Sequence, residues 1–123
     1  MTTKKILAVD DSPTISEMIR TILEKVGYEV VSAYDGVEAL DKVKSEMPDL
    51  IILDVNMPKL DGFRVCRLLK FDRNFRHIPV IMLTARDEEE NIKTGIRTGA
   101  DLYLTKPIEP EKLLEAVGKF LES

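Results

Sequence analysis

What this chain has little of narrows its function before any motif is read. It holds one cysteine, Cys66, among 123 residues, so no disulfide can form within it and a reducing compartment is expected. Its one histidine, His77, sits in the polar stretch RNFRH and is expected to be solvated rather than catalytic. Positive charge is also short: 18 Lys and Arg face 22 Asp and Glu, for a net charge of −4. A nucleic-acid partner is therefore not expected, since no basic footprint is present. No apolar run approaches the ~20 residues needed to cross a bilayer. The run after Lys4 and Lys5 is stopped at Asp10, too early for a signal peptide. These absences point to a cytoplasmic protein with no membrane insertion. With 44% hydrophobic residues the chain can still bury a real core, and its length suits one domain spanning 1–123.

What is present is an alternation. Apolar runs at 4–10, 28–33, 49–55, 78–85 and 101–105 read as strands, the third being the most apolar and so central. Between them lie stretches with helical spacing. The first places Ile15, Met18, Ile19, Ile22, Leu23 and Val26 on one face, with Ser12 as cap, Pro13 in the first turn and Gly27 at the end. The second is capped by Asp35 and turns Val37, Leu40 and Val43 inward. A third runs from Phe63 to about Phe71, with Cys66 as a small core hydrophobe; a more polar fourth covers 87–99; a fifth closes the chain. The acidic run at 87–90 suits a helix N-terminus. Five βα units imply an α/β fold: a doubly wound parallel five-stranded sheet, flavodoxin-like, with helices on both faces and order 2-1-3-4-5.

That topology carries chemistry to one edge. Strand one ends on Asp10 and Asp11, strand three on Asp54, strand four on Thr84, and Lys106 follows strand five. In the expected order strands one and three are neighbours, so three carboxylates converge. Two adjacent anions at the end of a buried strand are costly unless a cation offsets them. Three oxygen donors suit a hard cation such as Mg²⁺, or Mn²⁺. A lysine and a hydroxyl opposite them complete a site shaped for a phosphoryl group. Asp54 is then the nucleophile that takes phosphate as an aspartyl-phosphate, with metal and Lys106 neutralising charge on the transferring oxygens. Taken singly, Asp10, Asp54 and Thr84 also read as ordinary strand-end or strand residues, and their weight comes from occurring together.

The motifs VDDS, LDVNMPKLDG, MLTA and YLTKP, in that order over nearly the whole chain, resemble the response-regulator receiver domains of two-component signalling, the CheY-like family. The resemblance implies metal binding by Asp10, Asp11, Asp54 and the backbone carbonyl of Asn56. It implies phosphoacceptance by Asp54, phosphoryl contacts from Thr84 and Lys106, and a cis bond between Lys106 and Pro107. It also implies a switch made by Thr84 and Tyr103, although an aromatic in a strand is otherwise a packing residue. A histidine kinase or phosphotransfer protein would donate the phosphoryl group. The surface that changes would be the fourth predicted helix, the fifth strand and the closing helix, including Glu88 to Lys93 and Lys112. With no residues after Ser123 for an output domain, a stand-alone receiver is expected, acting through a protein partner or a further phosphotransfer step.

Three other functions fit parts of the pattern. A phosphatase of the haloacid-dehalogenase type also uses an aspartyl nucleophile, a hydroxyl residue, a lysine and Mg²⁺. It needs a second aspartate two residues beyond the nucleophile, where this chain has Asn56, which exchanges no proton near neutral pH. A flavin module on the same topology needs a phosphate cradle after strand one, where DDSP offers carboxylates instead. A receiver acting only as a phosphorylation-independent scaffold would not need the intact set of acids and lysine. On this reading the protein is a switch with self-catalysed phosphorylation and slow dephosphorylation, not a conventional enzyme.

Overall fold

The computed structural model describes residues 3–57, 59–84 and 99–122. Five parallel strands, β1 (Lys5–Val9), β2 (Glu29–Ala33), β3 (Leu50–Asp54), β4 (Val80–Thr84) and β5 (Leu102–Thr105), form one sheet in the order β2-β1-β3-β4-β5. This is the expected doubly wound sheet. The central strands are apolar along their whole length because both faces are covered. Alternation then sorts their side chains. Leu7, Val9, Ile51, Leu53, Val80 and Met82 pack with one cluster, and Ile6, Ala8, Leu50, Ile52, Ile81 and Leu83 with the other.

Among the described residues four helices lie on these faces: α1 (Pro13–Glu24), α2 (Gly36–Glu46), α3 (Gly62–Lys70) and α4 (Pro110–Leu121). Ile19 and Leu23 of α1 share a cluster with Leu113 and Val117 of α4, while Val43 of α2 shares the other with Val65 and Cys66 of α3. Short polar residues start three of them, and two of these, Ser12 and Asp35, are the caps the sequence suggests. Ser12 accepts a hydrogen bond from the Ile15 N–H at 3.3 Å, Asp35 from Glu38 at 2.8 Å, and Asp61 from Arg64 at 3.0 Å. The helix expected over 87–99 lies outside the described residues, apart from Gly99. No helix among the described residues is long and apolar enough to cross a membrane.

Two expected core positions prove exposed. Val26 is 56% exposed because α1 ends at Glu24 and the chain has already turned. Val37 is 49% exposed because α2 buries Ala39 and Val43 on its inner stripe, which leaves Val37 at its outward start.

One polar tie was not visible in the motifs. The Lys70 ammonium, nearly buried, meets Asp101 Oδ2 at 2.7 Å and donates to the Ile78 carbonyl at 2.8 Å. Asp101 Oδ2 also accepts the first amide of β4, Val80 N–H, at 2.8 Å. The end of α3, the start of β4 and the entry to β5 are thus joined through one cation. Removing it leaves the Asp101 charge without its cation and the carbonyls of Arg76 and Ile78 without this donor. Lys70→Met is expected to cost about 2 kcal/mol of unfolding free energy in urea with an unchanged slope. A loss below ~0.5 kcal/mol would show the tie to be no better than a surface pair.

Candidate functional site

Parallel register sets the site. Val9 is level with Leu53, Asp54 with Leu83, and Thr84 with Thr105. The residues after β1 and β5 therefore emerge beside the last residues of β3 and β4. Carboxylate oxygens of Asp10, Asp11 and Asp54 lie within 4.8 Å of one another, which is the convergence expected from the strand order.

The two neighbouring aspartates are not equivalent. Asp10 is buried, and its Oδ1 accepts the Ser12 N–H at 2.9 Å, which turns the chain into α1. Asp11 is exposed. Like-charge cost in the metal-free fold therefore falls on Asp10 and Asp54, since water screens Asp11. Asp10 Oδ2 is fully buried and accepts no hydrogen bond among the described residues. The Lys106 ammonium stands 3.5 Å from it, too long for a good bond.

Lys106 points mainly at Asp54, whose Oδ1 it meets at 2.9 Å. It gets there through the turn after β5: the Lys106 N–H donates to the Thr84 carbonyl at 2.7 Å, and the Lys106–Pro107 bond is cis. Burial, the largest influence on it, lowers the affinity of Lys106 for its proton. The Asp54 hydrogen bond and the charges of Asp54 and Asp10 outweigh that and hold its pKa above the ordinary lysine value. Asp54 is itself shifted upward. Burial dominates, with Asp10 pushing the same way, while Lys106 and the Asn56 backbone N–H pull against them. The buried group is thus two carboxylates against one ammonium.

A carboxylate set of this kind fits a hard divalent cation. Asp10 and Asp54 supply oxygens at the base of the cleft and Asp11 one from its solvent side. Asp10 Oδ2, with no hydrogen bond to a described residue, keeps lone pairs that a cation could take.

Thr84 is buried, with a hydroxyl that has no hydrogen-bond partner among the described residues. Tyr103 is not in the carboxylate cluster. It stands opposite Met82 on β5, half-buried against the cluster that includes α2 and α3, and burial pushes its phenol pKa up. Asn56 is exposed just past Asp54. His77 is exposed, Cys66 is in the core, and Lys112 is exposed on α4. Glu88 and Lys93 lie outside the described residues.

Sequence reading missed Gly62. A Cβ built there would lie 2.2 Å from the Asp54 carbonyl oxygen and 2.9 Å from the Val55 Cα. The first turn of α3 therefore rests directly on the backbone that carries Asp54. The available signal was the Asp-Gly pair opening the third helix, which reads as a cap and not as a close approach.

Known proteins resemble this chain in sequence and fold. The model of the response regulator receiver domain matches residues 6–118. The alkaline phosphatase synthesis transcriptional regulatory protein PhoP of Bacillus subtilis is 48% identical over 110 residues, which is 89% of this chain and 45% of that protein. The chain thus spans less than half the length of that relative. Among solved structures, the chemotaxis protein CheY4 of Vibrio cholerae is 39% identical with a TM-score of 0.90, over 97% of this chain and 99% of that one. The receiver domain of the sensor histidine kinase PA1611 of Pseudomonas aeruginosa, which has a magnesium ion coordinated in its active-site cleft, is 29% identical. Its TM-score is 0.90, over 99% of this chain and 100% of that one.

Proposed function

The chain belongs to the response regulator receiver domain family, and from that premise we propose that Asp54 is the phosphoacceptor of this phosphorylation-dependent signalling switch. Receiver domains are signalling proteins that accept phosphoryl groups from histidine kinases and act on downstream targets. The observation that carries the assignment to Asp54 is the ammonium of Lys106 at 2.9 Å from its Oδ1, inside a cluster of three converging carboxylates.

The reaction follows from those contacts. A carboxylate oxygen of Asp54 attacks phosphorus, the bond from phosphorus to the donor's leaving group breaks, and the leaving group departs with the electron pair. Lys106 stays protonated throughout, held so by its two carboxylate neighbours, and donates to the oxygens that gain charge. Asp10, Asp11, Asp54 and the Asn56 carbonyl would hold Mg²⁺ or Mn²⁺. When bound, that ion offsets the anionic cluster and the charge of the incoming phosphoryl group. Thr84, with its unpartnered hydroxyl, is placed to donate to a phosphoryl oxygen, and Tyr103 on the adjacent strand is the aromatic that would respond. The surface that changes is then β5, α4 and the segment before Gly99, where a protein target binds. In this reading the protein catalyses its own phosphorylation and slow dephosphorylation and is not a turnover enzyme, a nucleic-acid binder or a membrane protein.

Incubation with acetyl phosphate and Mg²⁺ tests the chemistry, read by intact mass. One phosphate should be gained, lost on treatment with hydroxylamine as an acyl phosphate is, and absent when EDTA is present from the start. Uptake that ignores EDTA, or a phosphate that resists hydroxylamine, would overturn the reading.

A further inference from the structure

We propose that the outer face of α3 is a docking groove for an acidic amphipathic segment of a partner protein. The helix buries Val65, Cys66 and Leu69 on its inner side. Arg64, Arg67 and Leu68 stand exposed on its other side, flanked by Leu60 in the bend before the helix and by Phe71 at its C-cap. With Asp72 these residues surround a groove of about 440 Å³, room for one or two apolar side chains. Leu68 is 52% exposed and Phe71 75% exposed, a large apolar surface to leave in water.

Charge says what covers it. Residues 59–77 carry six Lys and Arg against two Asp; with Lys59 paired to Asp35 and Lys70 to Asp101, a balance of +2 remains in a chain whose net charge is −4. Two of those cations, Arg64 and Arg67, line the groove itself. The Arg67 guanidinium stands 5.8 Å from the centre of the Phe71 ring, which holds the fork at the groove's edge, where it can receive a carboxylate. Apolar floor and arginine rim match a helix that carries leucines on one face and Asp or Glu beside them. A concave groove suits such a segment better than an anionic bilayer, which takes a convex apolar face.

The probe is a fluorescein-labelled peptide of about 16 residues, long enough to form helix on binding, built on the repeat Glu-Glu-Leu-Leu. A second peptide has lysine at every glutamate. Titration into the full chain, without phosphodonor or metal, keeps the outcome independent of Asp54. The acidic peptide should bind and shift amide resonances of residues 60–72. The lysine peptide should bind at least about tenfold more weakly. The pair Arg64→Glu and Arg67→Glu together, and separately Phe71→Ser, should each weaken the acidic peptide about tenfold, or about 1.4 kcal/mol, and added salt should weaken it further. These side chains are exposed, so an unchanged melting curve is expected for each variant. The proposal is overturned by no binding of the acidic peptide, by equal binding of both peptides, by variants without effect, or by shifts confined to another face. It is overturned equally by tighter binding to phosphatidylglycerol vesicles than to the peptide, or by a dimer of this chain that Phe71→Ser dissolves.

Discussion

Asp54→Asn is expected to take up no phosphate from acetyl phosphate under conditions that load the native protein, and its metal-free fold is expected to melt higher. The first result follows from chemistry: an amide oxygen is a poor nucleophile and forms no acyl phosphate. Asp10 is buried, bonded to the Ser12 amide and farther from Lys106, so it does not substitute. The second follows from the imbalance of two buried carboxylates on one ammonium. Asparagine leaves Asp10 and Lys106 as a matched pair and still offers Lys106 an acceptor. The sign with pH can be worked out. Burial, aided by Asp10, raises the Asp54 pKa in the folded protein. The native state therefore holds that proton more tightly than the unfolded chain, and the stability this confers is complete below the unfolded value of about 3.9. It is lost as pH climbs through the folded value, after which the native protein bears the whole cost of the charge. The advantage of Asp54→Asn should thus be present at pH 7 and vanish near pH 3. A gain of ~1 kcal/mol raises Tm by about 3–6 °C in a domain of this size. Phosphate on the variant would remove Asp54 as acceptor; a variant that melts lower at pH 7 would show that Lys106 and Asn56 more than compensate the buried carboxylate.

Much of this was legible in order along the chain because a parallel sheet repeats one rule. Each apolar run ends at the same edge, so Asp10, Asp11, Asp54, Thr84 and Lys106 could be brought together by topology alone. The cis bond at Lys106 was legible through family resemblance. Sequence could not divide the labour between Asp10 and Asp11, because a one-residue step turns one side chain into the cleft and the next into water. Lys70 escaped notice for a related reason. Its partners, Asp101 and the carbonyls of Arg76 and Ile78, meet it only through the turn that follows α3. Helical periodicity also predicts an inward face but says nothing of what stands outside it, so the exposure of Leu68 and Phe71 was not legible. Val26 and Val37 were misjudged at helix ends, where a residue or two of fraying moves a side chain from core to solvent.

Gly62→Ala is expected to be severely destabilising, while Gly118→Ala is expected to stabilise. Both glycines lie in helices, so propensity alone would favour alanine at each by ~0.5–1 kcal/mol. At Gly118 the new methyl group would meet only the flexible carboxylate of Glu122, at 3.5 Å, and propensity should prevail. At Gly62 it would fall 2.2 Å from the Asp54 carbonyl oxygen and 2.9 Å from the Val55 Cα. Backbone cannot rotate away as a side chain can, and the Gly62 N–H donates to the Val55 carbonyl at 3.0 Å. Either α3 lifts off or the end of β3 shifts, and both give up core contacts of Val65 and Cys66. The cost should reach ~3 kcal/mol or more, a fall in Tm on the order of 10 °C. Because the displaced segment carries Asp54, the proposed phosphoacceptor, the surviving folded fraction should also load phosphate more slowly at a temperature well below its own Tm. Stability and rate are then two readings of one contact. If Gly62→Ala melts within about 2 °C of the native protein, α3 does not bear on the Asp54 backbone. If it melts low yet loads at the native rate, the contact holds up the fold without positioning the site.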